Sequence, residues 1–200
     1  MMILRSSPTS PFVRKVRIVI GMLGLDHRVE LHNADLNAAT EPLRAQNPLG
    51  KIPALVLDDG RTLYDSRVIV EYLDHIAGGG RIIPNDAEAR FDALTLQALC
   101  DGAMDASVLI VYEGRYRPVE MHVPSWIDRQ AGKVTRAMAA LEASVPPLAA
   151  TPRVGDVALA CLLGYRDLRF DRTWRDGHPR LHAWHDAFAA AVPAFAATAP

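Results

Sequence analysis

The sequence predicts a mixed α/β unit followed by an all-helical bundle, and three observations lead there. Over residues 1–77, short strand-like runs alternate with helical runs, the pattern of a sheet covered by helices. From Ala87 onward only long runs of helical period follow, with no strand signal. Gly78-Gly79-Gly80 lies between them as a flexible break. The chain thus divides into an α/β domain at 1–77, a linker at 78–86 and an all-α domain at 87–200.

Each element has a local reason. Met2-Ile3-Leu4 reads as a first strand. In "SPTSPFVRKV" Ser10 is a favoured N-cap and Pro11 suits the first helical position. Val13, Val16, Ile20 and Leu23 recur at helical spacing, and Gly24 is a natural stop, so a helix spans Pro11 to Leu23. A strand, a tight turn and a helix start leave free backbone N–H groups near Ser10, which favours an anion there. Ser10 is therefore either a cap alone or a hydroxyl that holds a reacting atom.

Arg28–Leu31 reads as a strand and Thr40–Gln46 as a short helix. Ala54–Leu57 and Thr62–Tyr64 form a hairpin around Asp58-Asp59-Gly60. Asp65 or Ser66 caps a helix over Ser66–Ile76, with Val68, Ile69, Tyr72 and Leu73 toward a core. Tyr64 and Tyr72 read as core-edge aromatics. Asp86 can cap the run Ala87–Glu113; Ser125–Ser144, Asp156–Phe170 and Pro179–Ala191 follow, and the Ala-rich C-terminus is expected to fray.

Composition narrows the function. With 50% hydrophobic and 22% charged residues and a net charge of -1, no basic face stands out for nucleic acid or membrane binding. Cys100 and Cys161 lie far apart in apolar surroundings and read as reduced core thiols. No signal peptide is seen and no stretch looks long enough to span a membrane, so a cytoplasmic protein is expected. His178, His182 and His185 could share a helix face, but no acidic or Cys cluster supports a metal; Trp184 is expected inward and the histidines at the rim.

"NPLGKIPAL", Asn47 to Leu55, is the most specific stretch. Pro53 cannot donate to a sheet and must open a strand or lie at an edge. A cis bond at Ile52-Pro53 would turn the Ile52 backbone outward, freeing its N–H and C=O to pair with an extended peptide. "LYDSRVIVEYL" follows, with Ser66 at a helix start that suits a carboxylate.

With "SPTSPFVRKVRI", "NPLGKIPAL" and "LYDSRVIVEYL", and more weakly "VGDVALACLLGYRDLRF" and "HPRLHAWHDAF", the chain resembles the glutathione transferase superfamily over its whole length. It is most similar to small bacterial transferase-like proteins near the serine-type theta and zeta classes. The resemblance implies a thioredoxin-like N-terminal domain, an all-α C-terminal domain, a cis proline at Pro53, a homodimer, and glutathione as co-substrate with no metal. Ser10 takes the place of the hydroxyl that activates glutathione, with Thr9 as the alternative because the loop length is uncertain by one. Phe12 falls where zeta-like members carry a cysteine. Lys51, Ile52 and Pro53 match the segment that contacts the glycyl carboxylate and the cysteinyl backbone; Asp65 and Ser66 match the pair that holds the γ-glutamyl end. Asp101 or Asp105 is placed to reach the γ-glutamyl amine of a partner subunit's ligand. Val108, Val111, Tyr112, Arg115 and Tyr116 are candidates to wall the electrophile pocket.

The chemistry implied is simple. A thiol pKa near ~8.5 leaves little thiolate at neutral pH. Lowering it by about two units takes roughly 2.7 kcal/mol of preferential thiolate stabilisation. A Ser10 O–H bond to sulfur plus helix N–H groups could supply that. Glutaredoxin-like exchange is disfavoured, since residues 7–14 hold no cysteine and no C-x-x-C occurs. A zeta-like isomerase is disfavoured by Phe12. A non-catalytic glutathione-binding protein of the same fold is the alternative. Arg153 stands where similar proteins carry a Ser or Thr cap before the "GDVALA" helix, so a cap there is expected to be missing.

Overall fold

β1 (Met2–Ser6) lies at the heart of a four-stranded sheet of order β2-β1-β3-β4 in the computed structural model, which describes residues 1–36, 38 and 41–200. It pairs parallel with β2 (Val29–Asn33) and antiparallel with β3 (Ala54–Val56), which pairs antiparallel with β4 (Thr62–Leu63). The parallel pair demands a crossover, and α1 (Pro11–Leu23) provides it. β1 runs past the expected Leu4 because Arg5 and Ser6 pair with His32 and Asn33.

Helix α1 begins and ends where the sequence places it, with Ser10 in extended geometry at the N-cap and Gly24 left-handed at φ 69°. Its burial is wider than one stripe: Arg14, Lys15 and Ile18 are buried along with Val13, Val16 and Ile20. Two helices cover it, α3 (Ser66–Ile76) and α9 (Pro193–Ala197). The Arg14 guanidinium donates to the Phe195 carbonyl at 3.0 Å and lies 4.0 Å from the centre of the Phe195 ring. The C-terminus therefore does not fray as expected. Val192 and Phe195 are buried.

Helix α2 (Leu43–Gln46) is shorter than read from sequence, starting after Pro42; the expected first residue, Thr40, lies outside the described residues. The Gly78–Gly80 stretch is an ordered turn, not a flexible break. All three glycines have positive φ, which only glycine adopts freely. The buried Asp74 carboxylate accepts the N–H groups of Gly80, Arg81 and Ile82 at 2.9, 3.0 and 2.8 Å.

Chain contacts form two units, Met1–Phe91 with Val192–Pro200, and Asp92–Ala191. Residues 192–200, grouped with the helical half on sequence, belong to the first unit. The second unit holds most of α4 (Ala87–Tyr116), with α5 (Pro124–Ala143), α6 (Val154–Arg169), α7 (Trp174–Gly177) and α8 (Pro179–Ala191). Asp86 caps α4 through the Ala89 N–H at 2.9 Å. By length and composition α4 could cross a membrane, contrary to expectation. Its buried stripe of Ala93, Gln97, Cys100, Met104 and Ser107 follows helical spacing and matches a bundle helix.

Helix α6 is buried from Val154 to Tyr165 and forms the middle of this unit. A Cβ on Gly155 would come within 2.8 Å of the Ala93 carbonyl oxygen and 2.9 Å of the Leu96 side chain, so glycine permits this approach. The α6 cap is half present. The Asp156 carboxylate accepts the Arg153 N–H at 2.7 Å, while a guanidinium has no lone pair to return the bond. Burial pushes the Asp156 carboxyl up from its ordinary range, against that N–H and the Arg153 charge. Trp184 is inward as expected, but His185 is buried too; among the described residues no His, Cys, Asp and Glu cluster could hold a metal.

Candidate functional site

Strand register gathers the sequence candidates. Arg5 pairs with Ala54 and Leu55 with Leu63 across antiparallel neighbours. The exit of β1, the entry of β3 and the exit of β4 therefore share one end of the sheet. Thr9 and Ser10, then Lys51 to Pro53, then Asp65 and Ser66 emerge there, and α1 and α3 both start there.

Ser7 to Ser10 turn on a 3.1 Å bond from the Ser10 N–H to the Ser7 carbonyl. Ser10 and Thr9 are half-buried, as is Phe12. The Ser10 Oγ accepts the Val13 N–H at 3.3 Å. A hydroxyl has one proton and two lone pairs, so capping leaves its O–H free to donate outward. The Phe12 N–H, second in the helix, is one of the donors a helix start leaves without an intrahelical acceptor.

The Ile52-Pro53 bond is cis, as the resemblance implies, and Tyr64-Asp65 is cis as well. Lys51 is exposed, Ile52 half-buried and Pro53 buried. Asn47, not singled out from sequence, shapes this segment. Its buried amide donates to the Lys51 carbonyl at 2.8 Å and accepts the Leu49 N–H at 3.1 Å. Gly50 completes the turn at φ 61°. The signal was present in "NPLGK", since Asn before Pro favours such a side chain-built turn.

Asp65, rather than Ser66, is the cap of α3. Its carboxylate accepts the Arg67 N–H at 2.9 Å and pairs with the Arg67 guanidinium at 2.9 Å. The Arg67 side-chain bond holds the Asp65 carboxyl below its ordinary range, against partial desolvation, with help from the Arg67 N–H and the Arg67 and Lys15 charges. Asp65 is thus an anion at neutral pH and can take an ammonium group. Ser66 is buried at the first position of α3. Lys15 is fully buried on α1, which helical spacing alone does not announce. Together the three segments offer a hydroxyl donor and helix N–H groups, a cation at Lys51 and an anion at Asp65. That set carries groups of both charges that a short zwitterionic peptide could pair with.

The candidates on α4 separate. A cleft of about 500 Å³ opens at its C-terminal end within the second unit. Tyr112 and Tyr116 line it, in edge-to-face contact with ring centres 5.1 Å apart. Val108, Val111 and Arg115 are outside its lining; the Arg115 guanidinium lies 5.4 Å from the centre of the Tyr116 ring. Val123 and Trp126, at the start of α5, form the facing wall. Glu113 lines it as well and was not singled out from sequence. Asp105 is exposed, whereas Asp101 is buried.

Known proteins match in the same order as these sites. Residues 4–81 match the glutathione S-transferase N-terminal domain and residues 124–187 the C-terminal domain. The uncharacterised GST-like protein YibF of Escherichia coli is 33% identical over 169 residues, 82% of this chain and 81% of its own length. A glutathione transferase family member from Pseudomonas fluorescens Pf-5, solved with bound glutathione, is 45% identical with a TM-score of 0.93 over 100% of this chain and 99% of its own. A glutathione S-transferase from Methylobacillus flagellatus, also solved with glutathione, is 38% identical with a TM-score of 0.92 over 100% of both chains. Matched across both halves, and sharing its fold end to end with proteins of this identity, the chain belongs to the glutathione S-transferase superfamily.

Proposed function

We propose that this protein binds glutathione at the sheet end described above and presents its thiolate to an electrophile. Ser10 donates its O–H to the sulfur. The start of α1 adds N–H donors and the positive end of its dipole. Asn47 holds the Lys51–Pro53 segment so that Ile52 pairs with the cysteinyl backbone and Lys51 faces the glycyl carboxylate. Asp65 takes the γ-glutamyl ammonium, and Ser66 the carboxylate beside it. Thiolate formation releases a proton to solvent. The C–S bond then forms as the electrophile's leaving group departs or as its double bond takes up a proton.

The observation that carries this reading is the Ser10 hydroxyl: its oxygen caps α1 and its proton is left to donate. Two relatives solved with glutathione, 45% and 38% identical over the whole chain, support the ligand. The test is thiolate absorbance of bound glutathione against pH, after calorimetric binding on the same sample. A bound-thiol pKa about two units below the free value near ~8.5 is expected. Ser10→Ala should raise that pKa and slow turnover of an activated chloroarene by about 10–150-fold, the worth of one hydrogen bond to a charged group. Glutathione affinity should change far less. An unchanged pKa in Ser10→Ala moves the role to Thr9 or the N–H groups. Binding without any pKa shift in the parent protein refutes thiolate activation.

A further inference from the structure

The cleft at the C-terminal end of α4 contains an unsatisfied buried acceptor. The Glu113 side chain is only 7% exposed. One of its oxygens pairs with the Arg117 guanidinium at 2.5 Å, one turn onward. The other, Oε2, is buried with no hydrogen-bond partner. His122 lies across the same end of α4, its Nε2 at 3.0 Å from the Glu113 carbonyl and 3.1 Å from the Arg117 carbonyl. Just beyond it the chain enters α5, whose Trp126 lines the cleft together with Tyr112.

A buried carboxylate oxygen calls for a donor, because an acceptor removed from water and left unmade is costly. Tyr112, Tyr116 and Trp126 line the same cleft, and aromatic rings attract cations and flat apolar groups. Tyr116 already receives the Arg115 guanidinium. Glu113 itself lines the cleft, and the terminal torsion of Glu is soft, so its carboxylate can adjust to a donor placed there. Arg117 is half-exposed and engaged by the other oxygen.

We infer that this cleft selects aromatic ligands that carry an N–H or O–H donor, preferring a protonated amine, and that Glu113 Oε2 is the selecting acceptor. The cleft lies wholly within the second unit, and the class of molecule it takes is an aromatic body that carries an amine or hydroxyl group. A carboxylate-bearing analogue is disfavoured, since it meets Glu113 with like charge.

Four probes of one shape test this on the full chain by calorimetry: 1-naphthylmethylamine, 1-naphthylmethanol, 1-ethylnaphthalene and 1-naphthaleneacetate. The amine and the alcohol should bind at least about fivefold tighter than the hydrocarbon, the effect of one hydrogen bond, with the acetate weakest. In Glu113→Gln, which keeps an acceptor but loses the charge, the lead of the amine over the alcohol should vanish. Equal binding of all four, the acetate binding tightest, or no binding of any at millimolar concentration overturns the inference. If Glu113→Gln does not fold, the ranking in the parent protein decides alone. Glutathione binding on the same sample keeps the two readings apart. Glutathione bound with no probe ranking defeats only the cleft; a correct ranking without glutathione defeats only the proposed transferase activity.

Discussion

At the scale of single residues, a serine at a helix N-cap can cap and donate at once, so the two readings of Ser10 do not compete. Asn47 makes a sharper case. Its amide is buried and bonded at both ends, and only the donor end touches Lys51. Asn47→Asp keeps the acceptor for Leu49 but sets a carboxylate oxygen against the Lys51 carbonyl. Glutathione affinity should fall by about tenfold, the cost of one donor lost from a buried carbonyl, measured by calorimetry. Unchanged affinity would separate this turn from the ligand. Asp167 sets a pH dependence. Burial raises its carboxyl, but bonds from Arg175 and from the Trp174 indole at 2.9 Å outweigh that and hold it below its ordinary 3.8. A carboxyl lowered in the folded state stabilises above its unfolded value and loses that contribution as pH falls through the folded one. Thermal midpoints should therefore drop as pH falls below about 4, and less steeply in Asp167→Asn. That variant should also cost about 1.5–3 kcal/mol at neutral pH, as a charged hydrogen-bond partner is lost.

At the scale of elements, the helices end and begin where local chemistry says. α1, α3 and α8 match the bounds of their periodic runs residue for residue, but on α3 only Ile69 and Leu73 of the expected stripe are buried: Val68 is exposed and Tyr72 half-buried, while Val70 and Asp74 face inward. The hairpin turn and the two strands it joins after Pro53 were equally legible, since turn residues and a missing N–H are local facts. Short α7 carries too few residues for a period, so it was invisible. Gly155 looked like a neutral letter in "VGDVALA", yet its hydrogen faces a backbone carbonyl. A carbonyl in the middle of a helix cannot swing aside as a side-chain tip can. Gly155→Ala should therefore destabilise by about 1–3 kcal/mol despite improved helix propensity, read as a lower denaturant midpoint with unchanged slope. A stabilised Gly155→Ala would mean α6 and α4 are not held this close.

At the scale of the molecule, the last residues of the chain help finish its first unit. Phe195 sits on Arg14, almost the whole chain away. Deleting residues 192–200 should cost about 1.5–3 kcal/mol for the Phe195 side chain alone. Hydrogen exchange should then quicken across α1 but not across α6; equal exchange in both would mean the tail is dispensable. By itself the sequence determined the order of the strands and longer helices, the division into a mixed sheet and a bundle, and the three motifs that the fold gathers at the sheet end, because caps, turns and hydrophobic period are written within a few residues. Only the tertiary structure decided that α1 is covered on two sides with Lys15 inside, that the C-terminus returns to the first unit, and that Glu113 keeps a buried oxygen beside three aromatic rings. Those facts depend on which faces meet across long stretches of chain, and a local pattern does not encode the partner that covers it.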